Sequence, residues 1–193
     1  MKYINKIKLI LSFTLLVLFS LLIAGCNDKA LAGEAVEGDI LDEVEDETLG
    51  WREVTIKDVN SGEKFAIKDF QGKKVLIHVF AVWCPTCWLQ GEQLKELRGS
   101  EMAGDDLVFI SLDTDPNEDE AILTEYTGRL GFDWRFVNSP AHLTQSLIDE
   151  FGVAVVNPPW DPIVLVCEDQ SARLLGKGVK SAEEIYEEIE EGC

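Results

Sequence analysis

The stretch Val75-Leu76-Ile77-His78-Val79-Phe80-Ala81-Val82-Trp83-Cys84-Pro85-Thr86-Cys87 decides how this chain is read. Its apolar run predicts a buried strand over Lys74 to Ala81. A helix from Pro85 to about Met102 should follow, since a first-turn proline gives up only an N–H that has no intrahelical acceptor. Two cysteines separated by two residues at this strand-to-helix junction can pass between dithiol and disulfide. Cys84 sits where free backbone N–H groups and the helix dipole favour a negative sulfur, and the thiolate is the attacking species in disulfide exchange. The pair reads as a redox centre, with Cys84 the more exposed nucleophile and Cys87, one turn in, the shielded resolving thiol. A zinc site would need a second pair of ligands. Cys167, Cys193, His78 and His142 do not supply one at ligand spacing, so neither a metal nor a cofactor is expected.

Outward from the motif, strand and helix patterns alternate. Trp51 to Ile56 and Lys64 to Ile67 have strand character around the turn Asn60-Ser61-Gly62. Leu107 to Leu112 is a second buried strand. Asp115-Pro116-Asn117 opens a helix with Ile122, Leu123, Tyr126 and Leu130 at helical spacing. Trp134 to Val137 is a short strand, and Ser139-Pro140 opens a further helix. Pro162 to Cys167 and Ala172 to Leu175 complete the sheet, and Ser181 caps a last helix with Glu184 at capping-box spacing. This order predicts an α/β sandwich.

The N-terminus reads as an address. Lys2, Lys6 and Lys8 precede an apolar run from Leu9 to Ile23, followed by Ile23-Ala24-Gly25-Cys26. An apolar residue, two small residues and a cysteine resemble a lipoprotein signal, so residues 1–25 are expected to be removed and Cys26 lipidated; a retained anchor and simple secretion are the alternatives. All three place the domain outside the cytoplasm, where disulfides persist. Residues 26–50 carry nine acids against Lys29 and should form an extended tether, with one domain over 51–193. The whole chain has 17 Lys+Arg and 36 Asp+Glu, a net charge of −19; losing the leader leaves 14 cations and −22. Such a surface repels phosphates, which excludes nucleic acid as a partner.

The element order, with Trp83-Cys84-Pro85-Thr86-Cys87 ending the first core strand, resembles the thioredoxin fold, and more narrowly the membrane-tethered thiol–disulfide oxidoreductases of the TlpA/ResA type. The resemblance spans about Trp51 to Gly192. It implies a three-layer α/β/α sandwich with an N-terminal strand extension and a central insertion between Asp115 and Val137. It also implies protein thiol or disulfide substrates, a membrane redox partner and a reducing direction.

The same resemblance implies a cis-proline opposite the motif. This maps to Pro162, with Pro158 and Pro159 as rivals in the crowded run Asn157-Pro158-Pro159-Trp160-Asp161-Pro162. Asp161 stands where relatives carry a small or β-branched neutral residue. Pointing inward, it would raise the thiol pKa values by like-charge repulsion. His78, six residues before Cys84, is either a proton acceptor for Cys87 or a satisfied core histidine. Trp83, Pro85, Thr86 and Asp161 should border the substrate, while Trp88 and Trp160 either extend that surface or pack. Cys167 reads as a small apolar core residue, and a bridge to the terminal Cys193 is left open.

Two other classes share parts of this pattern. SCO-type copper proteins have a similar insertion, and Ile110-Ser111-Leu112-Asp113-Thr114-Asp115-Pro116 resembles theirs, but they use a Cys-x-x-x-Cys pair and a distal histidine that this chain lacks near Pro162. Peroxiredoxins need a Pro and a hydroxyl upstream of the reactive cysteine, where this chain has Ile77 and Ala81.

Overall fold

In the computed structural model, residues 49–193 other than 105 are described. The leader, Cys26 with its lipidation, and nearly all of the 26–50 tether lie outside the described residues. No helix among the described residues is long and apolar enough to cross a membrane.

Strand β3 (Lys74–Phe80) is the centre of a five-stranded mixed sheet. It pairs in parallel with β4 (Leu107–Asp113), which pairs in parallel with β5 (Arg135–Asn138). On its other side it meets β6 (Ile163–Val166) antiparallel, and β7 (Ala172–Leu174) closes that edge antiparallel. A central strand is covered on both faces, which is why its sequence is almost continuously apolar. Leu76 and Phe80 join one core with Cys84, Cys87, Leu94, Leu123, Tyr126 and Ile185. These come from α1 (Pro85–Gly99), α2 (Glu120–Leu130) and α4 (Ala182–Gly192), apart from Cys84, which caps α1. Val75, Ile77 and Val79 face the other core with Leu143 and Leu147 of α3 (Ala141–Phe151). The fold is the thioredoxin-like α/β sandwich, its sheet flanked by helices.

The N-terminal extension differs from its expectation. Only Ile56–Lys57 (β1) and Lys64–Phe65 (β2) form strands, as a separate hairpin. Trp51 is not in a strand because α3 claims it: its backbone N–H donates to Ser146 Oγ at 3.0 Å and its indole Nε1 to Glu150 Oε2 at 2.7 Å. Helix α1 ends at Gly99 rather than near Met102, where the Ser100 hydroxyl donates to the Leu97 carbonyl. Helix α2 starts later than expected, capped by Asp119. The Ser181–Glu184 capping box of α4 is present in both directions.

The central insertion packs through aromatics. Phe132 and Trp134 lie 4.7 Å apart between ring centroids, and Phe80 meets Phe136 edge-on at 5.5 Å. Gly91 in α1 makes room for this cluster, since a Cβ there would stand 2.8 Å from Phe132 Cζ.

Cys167 is not a free apolar residue: it is disulfide-bonded to Cys193, with 5.5 Å between their Cα atoms. The bond ties the end of α4 to the chain leaving β6. Closing a separation of 26 residues restricts the unfolded chain by about 3 kcal/mol. Cys193→Ser should lower unfolding free energy by about that amount while leaving the Cys84–Cys87 couple intact; urea titrations with and without the substitution check this.

Candidate active site

The redox pair is built where β3 stops and α1 begins. Cys84 is the N-cap of α1, its Sγ accepting the Cys87 N–H at 3.3 Å, and Pro85 occupies the first turn. No acid stands in that turn, so the positive end of the helix acts on Cys84 Sγ unopposed by its own helix. Cys84 and Cys87 are joined as a disulfide with Cα atoms 5.3 Å apart.

In this oxidised state both cysteines are buried, so the expected difference in exposure is absent. They differ in what they face. Cys84 opens on a mostly apolar groove of about 340 Å³ that is also lined by Val82, Trp83, Pro85, Trp88, Tyr126 and Arg129. Cys87 Sγ lies 3.2 Å from the Pro158 carbonyl oxygen. A larger hollow of about 590 Å³, between Asp58, Arg98 and Trp134, contains no motif residue. Trp83 is 57% exposed and its indole N–H is held by Asp115 Oδ2 at 2.6 Å. Trp160 does not line the groove; Lys177 Nζ sits 3.4 Å above its ring.

The expected cis bond is absent. Every peptide bond among the described residues is trans, Asp161–Pro162 included. The chain turns into β6 through Asp161, which takes a left-handed conformation at φ 50° and ψ 56°. Pro162 is buried, and its carbonyl accepts the Val79 N–H at 3.0 Å, which anchors the loop to β3.

Asp161 points inward. It is buried, and its carboxylate and the two sulfurs lie within 4.8 Å of one another. The Thr86 side chain hydrogen-bonds this carboxylate, and the Thr86 hydroxyl is also 3.4 Å from Cys84 Sγ. Oδ1 of Asp161 has no hydrogen-bond partner. Burial raises its pKa, while Thr86 and the positive Lys180 act in the opposite sense. The three groups are close enough to act together, and here the two sulfurs are bonded to each other.

His78 sits on β3 beside Ile163 of β6 and stacks on Phe80 at 5.6 Å. It is almost fully buried, its Nε2 has no partner, and burial pushes its pKa down to about 3. The ring is therefore neutral at pH 7 and a weak acceptor, so the proton-acceptor role does not follow from its position under the motif.

Sequence reasoning missed the clamp on the motif loop. The Val82 N–H donates to Glu118 Oε2 at 2.8 Å, and the Thr114 N–H donates to the Phe80 carbonyl at 3.2 Å. Glu118 in turn hydrogen-bonds the buried Asp113, which accepts from the Asp115 N–H at 3.0 Å. Burial first, and Glu118 beside it, raise the Asp113 pKa to about 8. The signal was the acid-rich run from Asp113 to Glu118, directly after a buried strand.

Residues 49–164 match the Redoxin family, to which this chain belongs. The chain is 39% identical over 44 residues to the thiol:disulfide interchange protein DsbE of Pasteurella multocida; that stretch is 22% of this chain and 24% of the relative, so the match spans about a quarter of the curated protein. Among solved structures it is similar to a Chlorobium tepidum thioredoxin-family thiol:disulfide interchange protein (TM-score 0.61, 15% identity, 71% of this chain and 90% of that one). It is also similar to a secreted Mycobacterium tuberculosis disulfide oxidoreductase homologous to E. coli DsbE (0.54, 18%, 73% and 97%). A third is the exposed lipoprotein thioredoxin Etrx1 of Streptococcus pneumoniae (0.54, 20%, 71% and 97%).

The buried carboxyl pair carries a prediction. The folded protein keeps the Asp113 proton to about pH 8, whereas an unfolded Asp releases it near pH 4. The folded state thus holds the extra proton between those values, and its stability falls as pH rises through that window. Asp113→Asn should flatten this fall, read as a smaller difference between unfolding free energies at pH 5 and pH 8.

Proposed function

We propose that this chain is an extracytoplasmic thiol–disulfide oxidoreductase that reduces protein disulfides while tethered to the membrane through a lipid on Cys26. The observation that carries the exchange reading is the Cys84–Cys87 disulfide at the N-terminus of α1, with Cys84 opening on an apolar groove. In the reduced protein the Cys84 thiolate attacks a substrate disulfide, forming a Cys84–substrate bond and releasing one substrate thiolate. Cys87 then attacks Cys84 Sγ, re-forming the internal disulfide and releasing the second thiol. Two electrons pass from the dithiol to the substrate.

Trp83, Pro85 and Trp88 offer an apolar surface beside Cys84, suited to an exposed apolar segment flanking the target cysteine. The reducing direction is supported by Asp161, whose nearness to both sulfurs disfavours thiolate and so makes the dithiol the readier electron donor. Tethering is supported by the charged, apolar and small-residue order of the leader before Cys26. The similar Mycobacterium tuberculosis protein is secreted and the Streptococcus pneumoniae one is an exposed lipoprotein, which supports the same address.

Cys87→Ser should trap mixed disulfides through Cys84, seen as protein adducts on non-reducing gels that collapse with dithiothreitol. The double variant Cys84→Ser/Cys87→Ser should trap none. Failure of the single variant to capture any partner would sink the exchange reading. Separately, Cys26→Ser should move the protein from the membrane to the soluble fraction of fractionated cells; an unchanged distribution would refute lipid tethering.

A further inference from the structure

We propose that the Asp161 carboxylate is the proton acceptor for Cys87 when that thiol resolves a mixed disulfide held on Cys84. The inference rests on the exchange reading above and adds to it the residue that moves the proton.

Resolution needs a base inside the fold. Cys87 is buried, and its sulfur faces the Pro158 carbonyl, which can accept a hydrogen bond but cannot take a proton. Before Cys87 can attack Cys84 Sγ it must lose its proton in a place where bulk water is excluded. Among the described residues, the buried candidates are Asp161, grouped with both sulfurs, and His78, stacked on Phe80 of the same core. His78 is depressed so far by burial that it does not accept a proton near neutral pH. Asp161 combines what the step requires: a carboxylate within 4.8 Å of both sulfurs, burial, and an oxygen with no hydrogen-bond partner.

The loop holds the acid there deliberately. The Asp161 N–H donates to the Pro158 carbonyl at 2.8 Å, the same oxygen that faces Cys87 Sγ. The left-handed conformation of Asp161 is one that a non-glycine residue adopts rarely, and such geometry persists where surrounding structure enforces it.

Each neighbouring element has a definable influence. From α1, Thr86 hydrogen-bonds the carboxylate and keeps it available as an anion. From the segment before α4, Lys180 adds a positive charge; its backbone is pinned to the buried Gln90 by reciprocal hydrogen bonds of 2.8 and 3.1 Å. From β3, His78 is neutral. The loop residues Pro158, Pro159 and Trp160 contribute no titratable group. Burial raises the acid toward the range in which a carboxylate can both take and return a proton.

The step balances. Cys87 Sγ–H gives its proton to Asp161, the resulting thiolate forms the bond to Cys84 Sγ, and the Cys84–substrate S–S bond breaks. The departing substrate thiolate then takes the proton from the Asp161 carboxyl, which restores the carboxylate.

The reduced protein mixed with 5,5′-dithiobis(2-nitrobenzoate) separates the two stages, because Cys84 attack releases one nitrothiolate and Cys87 resolution releases a second. Asp161→Asn keeps the side chain's shape, and asparagine tolerates the left-handed backbone. Its first phase should be unchanged or faster, since a negative neighbour of Cys84 is gone. Its second phase should slow by about 10²-fold at pH 7. A second phase slowed less than about tenfold, or both phases slowed in parallel, would overturn the proposal. Wild-type protein that releases no nitrothiolate would overturn the exchange reading along with it. Thr86→Val gives an independent measure: with its hydrogen bond lost, Asp161 holds its proton to higher pH, so the acid limb of the second phase should shift upward. An unshifted limb contradicts the assignment.

Discussion

Cys84 closes the central strand's exit loop and caps the helix that follows, and the site depends on that double duty. Its Sγ accepts the Cys87 N–H, so one sulfur of the redox pair also satisfies one of the donors that every helix leaves unpaired at its start. The same contact brings Cys87 one turn inward and within bonding range. Because β3 lies in the middle of the sheet, the N-terminus of α1 is fixed by two cores at once, through Leu76 and Phe80 on one face and Val75, Ile77 and Val79 on the other.

The insertion secures the same place from the side. Glu118 holds the Val82 N–H, Asp115 holds the Trp83 indole, and Thr114 bonds to Phe80. The motif loop is thus gripped by one short acidic segment between β4 and α2. Packing of Tyr126 and Phe136 against Phe80 fixes that segment in turn. An acid-rich chain can place carboxylates this close to a redox pair only by protonating or pairing some of them, and Asp113 with Glu118 is the protonated case.

Much of this was legible. The apolar run of β3, the proline at the start of α1 and the Ser181–Glu184 box are local signals, and the structure repeats them. What was hidden depends on distance in space. Trp51 reads as a strand residue until α3 offers Ser146 and Glu150 as partners. Cys167 looks like a core residue because its partner, Cys193, lies just past α4 and 26 positions later. The acids at 113–118 were visible as a run, but their grip on Val82 and Trp83 follows only from the parallel pairing of β3 with β4, which brings the ends of those strands together. The trans bond before Pro162 likewise has no sequence signal, since the left-handed Asp161 already provides the turn.

Asp161 and the α1 N-terminus act on the sulfurs in opposite senses, and their separation in space lets both operate. The helix dipole falls off within its first turn, so it acts mainly on Cys84, the cap. Asp161 reaches both sulfurs, but of the two only Cys84 borders the groove. A negative charge near Cys84 is countered by the N-terminus of α1, whereas Cys87, one turn in, lies farther from that counterweight. In the proposed mechanism this difference separates the attacking thiol from the resolving one, through one carboxylate placed off the helix axis.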